Sequence, residues 1–329
     1  MPEIRVDPLT GLRTIVAAER ASRPGAALSA SPAAPLDPAS DPFAEGNEQQ
    51  TPPELYALRP GQEPPQPDRP GWTVRVVPNL YPALTADAPE PEPEANRDLF
   101  TAAPARGAHE VIVNAPQSVT ALADLTPAQV ATAMDVWRQR MRVHAPQSAY
   151  THLIVNERPE AGASLPHTHA QLYALDFVPA GVARERERFG AYAVRTMGGN
   201  LLADLLQEEV RRRERIVAID DEAVAIAPYA SRLPYQLTIV PRRARTHFEH
   251  DGPTGAALLH DVLGRLGRRL GANPPLNLWV RTAPSGADHF CWRIDVLPRL
   301  THVAGLELGT GLNMNIVAPE QAAAELREA

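Results

Sequence analysis

The sequence predicts an α+β protein made from a repeated unit, and three features carry that expectation. Short apolar runs alternate with polar residues in WTVRVVPNLYPAL from Trp72, HEVIVN from His109 and YTHLIVN from Tyr150, the period of half-buried strands. Two amphipathic helical patterns, one opening at Thr126 and one spanning about 254–271, each stand among such strands. Each half thus offers a few strands of antiparallel type around one main helix, the pattern of a duplicated unit, although no sequence identity relates the halves.

The elements follow in order. DPLTG at 7–11 reads as a turn, and TIVAA at 14–18 as a short strand. From Arg23 to Pro70 the chain is rich in Pro, Ala, Ser and Gln without periodicity, which predicts an irregular, partly mobile excursion of about 24–70. The run from Trp72 alternates and breaks at Pro78-Asn79, and a second Pro- and acid-rich excursion covers about 86–108. Thr126, Pro127 and Gln129 form a helix start with a capping box. Val130, Met134, Trp137 and Met141 then give one apolar stripe, read as core. HTHAQLYALDF predicts a strand after YTHLIVN. A charged helix over roughly 181–213, broken near Gly198-Gly199, comes next. Strands are expected at 215–219, 223–227, 235–240, 276–281 and 291–297, and a last helix from Pro319.

Composition narrows the function. The 329 residues carry a net charge of −7 with one cysteine, Cys291. One cysteine permits no intrachain disulfide and fits a reducing, cytoplasmic setting. No apolar run of about 18 residues marks a membrane span, and MPEIRVDPLTG lacks the pattern of a secretory signal. The acidic balance argues against a nucleic-acid binder but not against a nucleotide, which needs only a few arginines.

The stretch NERPEAGASLPHTHAQ from Asn156 to Gln171 is the most informative for chemistry. Strand alternation would aim His167, His169 and Gln171 the same way, at one ligand. The run Ala161-Gly162-Ala163-Ser164 before them is small enough to bring backbone N–H groups close to an anion. Neutral imidazole is a competent nucleophile towards phosphorus near pH 7. An H-x-H pair serves metal binding or structure as readily as catalysis. No cluster of Cys, His and carboxylates completes a zinc set here.

With these blocks in hand, the chain resembles the galactose-1-phosphate uridylyltransferase family, a two-domain branch of the histidine-triad superfamily. The likeness runs through DPLTG at 7–11, ERASRP at 19–24, DPFAEGNE at 41–48 and RVVPNLYPAL at 75–84. It continues in HEVIV at 109–113, N-x5-GAS-x2-HTHAQ at 156–171, AGLELGTGLNMN at 304–315 and PEQAAAELR at 319–327. It implies two tandem histidine-triad-like domains, 1–178 and 179–329, each an antiparallel sheet with packed helices. It also implies double displacement: His169 attacks the α-phosphorus of UDP-glucose, a hexose-1-phosphate leaves, and a second hexose-1-phosphate, such as galactose-1-phosphate, takes the uridylyl group. His167 matches the neighbour that orients the nucleophile. Gln171 matches the glutamine on the phosphoryl oxygens, and Asn156 and Ser164 the residues holding the loop and the β-phosphate. Arg20 and Arg23 match phosphate contacts, Asn79 a nucleoside contact, and Glu307 and Asn313 sugar contacts. The resemblance further implies a homodimer whose active site borrows residues from the partner.

Glutamine at 171 has its own logic. A histidine there could protonate a basic leaving group, whereas glutamine cannot shuttle a proton. Phosphate oxygens need none, so Gln171 favours transfer between phosphates over hydrolysis. The chain also departs from the family. The zinc-binding C-P-F-C reads Asp41-Pro42-Phe43-Ala44, the distant zinc histidine falls near Ser118, and a second metal strand reads His289-Phe290-Cys291-Trp292-Arg293-Ile294. No metal and no cofactor are therefore expected, and Cys291 is read as a buried strand residue. Leu80 replaces an aspartate that grips ribose in some members, and Thr301 a lysine near the sugar nucleotide. The leading expectation is UDP-hexose:hexose-1-phosphate uridylyl transfer. The alternatives are a phosphorylase acting on an ADP-sugar or a dinucleoside polyphosphate, and a catalytically silent nucleotide-binding protein.

Overall fold

A computed structural model of the chain describes residues 1–22, 28–61, 66–92, 96 and 99–329. Along the chain run β1 (Glu3–Val6), β2 (Arg13–Val16), β3 (Tyr56–Leu58), β4 (Val74–Pro78), β5 (Gly107–Val113) and α1 (Pro127–His144). Then come β6 (Tyr150–Glu157), β7 (His169–Leu175), α2 (Ala180–Arg195), α3 (Leu201–Arg212), β8 (Ile216–Ile219), β9 (Ala223–Ile226) and β10 (Leu237–Pro241). The chain closes with α4 (Ala256–Leu270), β11 (Leu276–Arg281), β12 (Arg293–Pro298), α5 (Gly305–Thr310), β13 (Asn313–Asn315) and α6 (Pro319–Glu328).

Among the described residues, ten strands form one antiparallel sheet in the order β3-β4-β5-β7-β6-β11-β12-β10-β9-β8. The two sets of five meet where β6 pairs with β11, with Asn156 opposite Asn277. Outward from that seam, β7, β5, β4 and β3 on one side answer β12, β10, β9 and β8 on the other. A small sheet of β1, β2 and β13 stands apart. Mixed helix and antiparallel sheet is the α+β class that the sequence predicts.

Alternation divides the large sheet into two faces. Leu153, Val155, Ala170 and Leu172 of one half, and Leu278, Val280, Ile294 and Val296 of the other, share one core with α1 and α4. The α1 stripe of Val130, Met134, Trp137 and Met141 is wholly buried there. Its start is fixed as the sequence predicts: Thr126 accepts from the Gln129 amide and the Gln129 side chain returns to the Thr126 amide. On the opposite face of the second half, Phe189, Leu202 and Leu206 of α2 and α3 cover Val224, Ile226 and Val240. On that face of the first half the cover comes from the loop region, where Phe43 and Trp72 pack on Val77, Val111 and Val113.

Some expectations hold and others need correction. In the described part of the excursion of about 24–70 the chain is mostly irregular, as expected, except for β3, and it is tied down by polar anchors: Arg59 makes a two-pronged bond to Glu54, Arg75 reaches Thr51, Glu54 and Asp68, and the Trp72 indole donates to Glu48. The helix expected over 181–213 is broken where the sequence places the break: Gly198 takes φ +107° and Asn200 caps a new start on Ala203. The strand expected through HTHAQ begins only at His169. His167 lies in the bend before it, so His167 does not share a strand face with His169 and Gln171. Helix α5 and strand β13 are additional to the sequence reading.

Candidate active site

Strand β7 lies between β5 and β6, with His169 opposite Val113 and Gln171 opposite both Val111 and Ile154. Ala170 and Leu172 point into the core, which turns His169, Gln171 and Tyr173 to the other face. Asn156 and His109 stand on the flanking strands of that same face. His169 is 4% exposed. Its Nδ1 lies 2.7 Å from the His167 carbonyl oxygen. A carbonyl only accepts, so Nδ1 carries the hydrogen and Nε2 keeps its lone pair. Burial holds the ring below the ordinary histidine value, which keeps it neutral at pH 7. A neutral ring with a bare, oriented Nε2 is a nucleophile ready for use.

The neighbouring ring is set differently. His167 is 1% exposed, with Nδ1 2.7 Å from Asp41 Oδ2 and Nε2 2.9 Å from the Ala115 carbonyl oxygen. Asp41 also accepts from the Ser118 hydroxyl at 2.7 Å and the Phe43 amide at 3.0 Å. Burial pushes the Asp41 carboxyl up, but the bonds from His167 and Ser118 outweigh it and hold it below its usual range. The Phe43 ring meets both imidazoles edge-on, with centroids 6.1 Å from His167 and 5.2 Å from His169. The Thr168 amide donates to the Val119 carbonyl, and the Asn114 side chain, itself held by the Trp137 indole, bonds the Thr168 hydroxyl.

Gln171 has its amide orientation fixed. His109 Nδ1 accepts the Ala83 amide at 3.1 Å, so its Nε2 bears the hydrogen and donates to Gln171 Oε1 at 3.0 Å. Burial lowers His109, in keeping with a neutral ring. The Tyr173 hydroxyl also donates to Gln171 Oε1 at 3.0 Å, and Tyr173 stacks on His109. The oxygen is thus occupied and the NH2 of Gln171 is left to donate outward. Asn79 lies beside this cluster, its Nδ2 3.1 Å from His109 Nε2, but with the hydrogen on Nε2 both atoms are donors and the contact is not a hydrogen bond.

The loop between β6 and β7 departs from its expected role. Ala161 and Ala163 both donate to the Arg158 carbonyl, and Gly162 donates to that of Pro159. Three amides of the small run therefore close the loop and do not face an anion. Gly162 is needed for its φ of +89°, since a Cβ there would meet open space. Ser164 is exposed, beyond these bonds. The loop is tied to the second half of the sheet by Asn277, whose Nδ2 bonds Asn156 Oδ1 at 2.8 Å and the Ala161 carbonyl at 2.7 Å.

The structure therefore brings His167, His169, Gln171, Asn156 and Asn79 together. Arg20 lies in a short turn after β2, Asn313 in β13 of the small sheet, and Glu307 in α5, where it caps its own helix at Ala304. None of the three shares a hydrogen bond or ion pair with the β7 cluster among the described residues. Arg23 lies outside the described residues. The sequence reading missed His109 and Tyr173. The signal was available, because Tyr173 continues the alternation from His169 and Gln171.

The residues at the two expected metal positions do not fit a metal. Ala44 has no donor, and both ring nitrogens of His167 are taken by Asp41 and Ala115. At the second position Arg293 is clamped between Glu185, at 2.9 Å, and Asp295, at 3.0 Å. Cys291 is fully buried, and burial pushes its thiol up to about 11. No group of three or more His, Cys, Asp or Glu among the described residues could hold an ion. No described helix is long and apolar enough to cross a membrane.

A family model for the galactose-1-phosphate uridyl transferase N-terminal domain matches residues 1–179. The chain belongs to the galactose-1-phosphate uridylyltransferase family. A model for a domain of unknown function also matches 118–328. Among curated relatives, the chain is 31% identical to an ADP-glucose phosphorylase of Arabidopsis thaliana over 344 residues, 99% of this chain and 93% of that protein. It is 27% identical to a galactose-1-phosphate uridylyltransferase of Cryptococcus neoformans over 353 residues, 98% of this chain and 89% of that one. The crystal structure of an Arabidopsis thaliana ADP-glucose phosphorylase with bound ADP-glucose superposes with a TM-score of 0.81 at 27% identity, covering 100% of this chain and 99% of that one. A uridylyltransferase structure gives 0.76 at 26% identity, covering 100% and 98%. The chain is thus a family member of the nucleotidyltransferase and phosphorylase kind, whose relatives act on sugar nucleotides and sugar phosphates.

Proposed function

We propose that this protein moves a nucleotidyl group from a sugar nucleotide to a phosphate oxygen through a covalent bond to His169, and that its substrates are ADP-glucose and inorganic phosphate. The observation that carries the substrate choice is the 31% identity to an ADP-glucose phosphorylase along 99% of the chain. Leu80 supports it, because it stands where some uridylyltransferases grip ribose with aspartate. The His169 geometry supports the chemistry: Nε2 attacks the α-phosphorus, the bond from that phosphorus to the bridging oxygen breaks, and glucose-1-phosphate leaves with the oxygen. The Gln171 NH2 donates to the phosphoryl oxygens as charge moves onto them. An oxygen of inorganic phosphate then attacks the same phosphorus, ADP departs, and Nε2 is free again. Neither step asks for a proton at the bridging oxygen, which suits glutamine at 171.

The acceptor label tests the reading. With ADP-glucose and 32P-phosphate, label should appear at the β-position of ADP and not in glucose-1-phosphate. Label in glucose-1-phosphate, or no reaction with ADP-glucose, would refute it. Uridylyl exchange between UDP-glucose and galactose-1-phosphate is the second reading, favoured by the 27% identity to a uridylyltransferase over 98% of the chain. The same assay with those substrates separates the two. We also infer a homodimer in which Glu307 and Asn313 serve the partner's site, since neither bonds to the β7 cluster of its own chain. Mixing His169→Ala and Glu307→Ala chains should restore activity that each lacks alone.

A further inference from the structure

The bend carrying His167 is held by a carboxylate. A neutral imidazole has one N–H, yet His167 faces acceptors from both nitrogens: Asp41 Oδ2 at 2.7 Å and the Ala115 carbonyl at 2.9 Å. The Asp41 carboxylate and the ring lie against each other in a site closed to water. A buried pair of this kind is favourable only when its remaining lone pairs are used. Here they are, by the Ser118 hydroxyl and the Phe43 amide. The His167 carbonyl then receives the His169 Nδ1 hydrogen at 2.7 Å. The chain of contacts runs Ser118 to Asp41 to His167 to His169, joining residues 77 and 126 positions apart in sequence.

We propose that Asp41, braced by Ser118, is a positioning residue of the reaction: its carboxylate locks the His167 ring, and through the His167 carbonyl it fixes His169 with hydrogen on Nδ1 and a bare Nε2. The pair does by hydrogen bonding what a bound metal would do by ligation, which is to pin the bend from which the nucleophile projects. Asp41 touches no substrate. Its removal lowers the rate of nucleotidyl transfer and leaves substrate binding in place. The proposal rests on His169 being the nucleophile.

The test has two arms. In the ligand-free protein, 15N-labelled histidine reports ring hydrogens directly. Wild-type His169 should give one fixed pattern, with Nδ1 protonated and Nε2 bare, and Asp41→Asn should give an averaged ring. In turnover, Asp41→Asn should lower kcat by roughly 10- to 100-fold, the range for lost outer partners of a reactive group, with KM within about threefold. Ser118→Ala keeps the pair but loosens it, and should show a smaller change in both readouts. A folded Asp41→Asn protein with wild-type kcat overturns the proposal, as does a fall in kcat with the His169 pattern unchanged. If Asp41→Asn does not fold, Ser118→Ala decides: an unaltered ring pattern and rate overturn it. A wild-type protein that transfers nothing refutes the functional reading alone, because the ring pattern needs no substrate.

Discussion

Glu157 ends β6, one residue beyond Asn156, and is 2% exposed. One carboxyl oxygen accepts the Leu122 amide at 2.6 Å. Burial pushes this carboxyl up to about 8, against the Leu122 bond and with help from Asp124, from an ordinary value of 4.5. The folded value lies above the unfolded one, so the native state holds a proton that the unfolded chain gives up. The group's contribution to stability is whole below pH 4.5 and is lost as pH rises to 8. Each pH unit inside that window costs about 1.4 kcal/mol, so the climb from pH 5 to pH 8 costs about 4 kcal/mol. Glu157→Gln removes the titration and keeps an oxygen for Leu122. The variant should match wild type within about 1 kcal/mol at pH 5 and exceed it by about 4 kcal/mol at pH 8. For a chain of this length that corresponds to roughly 6 °C in Tm at pH 8. Thermal melts of both proteins at pH 5, 6, 7 and 8 make the comparison, in which every other titrating group cancels. Parallel curves, or a variant less stable than wild type at pH 8, would refute the reasoning.

Other outcomes follow from the site. His109→Ala or Tyr173→Phe frees the Gln171 amide to turn and should cost about 10-fold in kcat, the double variant costing less than the product of the singles because both hold one oxygen; steady-state kinetics checks this. Asn277→Ala removes the bonds to Asn156 and Ala161 and should lower stability by about 1–3 kcal/mol and raise KM, as melts and initial rates would report. Burial keeps His169 neutral below its ordinary value of 6.5, so kcat/KM should stay flat from about pH 7.5 to 6.5 and fall only below that; a half-loss at or above pH 6.5 would contradict it. Dialysis against EDTA should leave rate and Tm unchanged, and activity lost to the chelator and restored by zinc would contradict the fit of Asp41, Ala44 and His167.

What the sequence reveals depends on how far apart the deciding residues lie. Helix α1 is legible to the residue because Thr126, Pro127 and Gln129 are neighbours. The longer strands are legible to within a few residues because alternation is local, whereas β1, β3 and β13, of three or four residues each, are too short to show it. The bend at His167 is not: the period of two runs through H-T-H without a break, and only pairing of His169 with Val113 shows where the strand begins. Asp41 and Ser118 read as lost metal ligands in the sequence, and nothing local says that they bond each other and His167. The amides of Ala161, Gly162 and Ala163 look free for an anion until Arg158 and Pro159 are seen to accept them. His169 and Gln171 were found because a motif marks them, and His109 was not, because its part is set by Ala83 and Gln171 across two strands.

The two sides of the large sheet carry the same arrangement to different ends. Counting from the β6–β11 seam, β12 holds the place of β7, and Arg293 and Asp295 face the side that His169 and Gln171 face. In the second half that side lies under α2, whose Glu185 bonds Arg293. An arginine keeps its charge at any ordinary pH and offers no lone pair, so the position can hold structure together but cannot attack phosphorus. In the first half α1 packs on the opposite face, no helix among the described residues covers this side of β7, and a loop bearing Phe43 and Asp41 closes only the His167 end. The histidine beyond it is neutral, with Nε2 left bare. The reactivity proposed for His169, and its absence at Arg293, thus follow from what covers each strand and from imidazole against guanidinium, within one continuous fold.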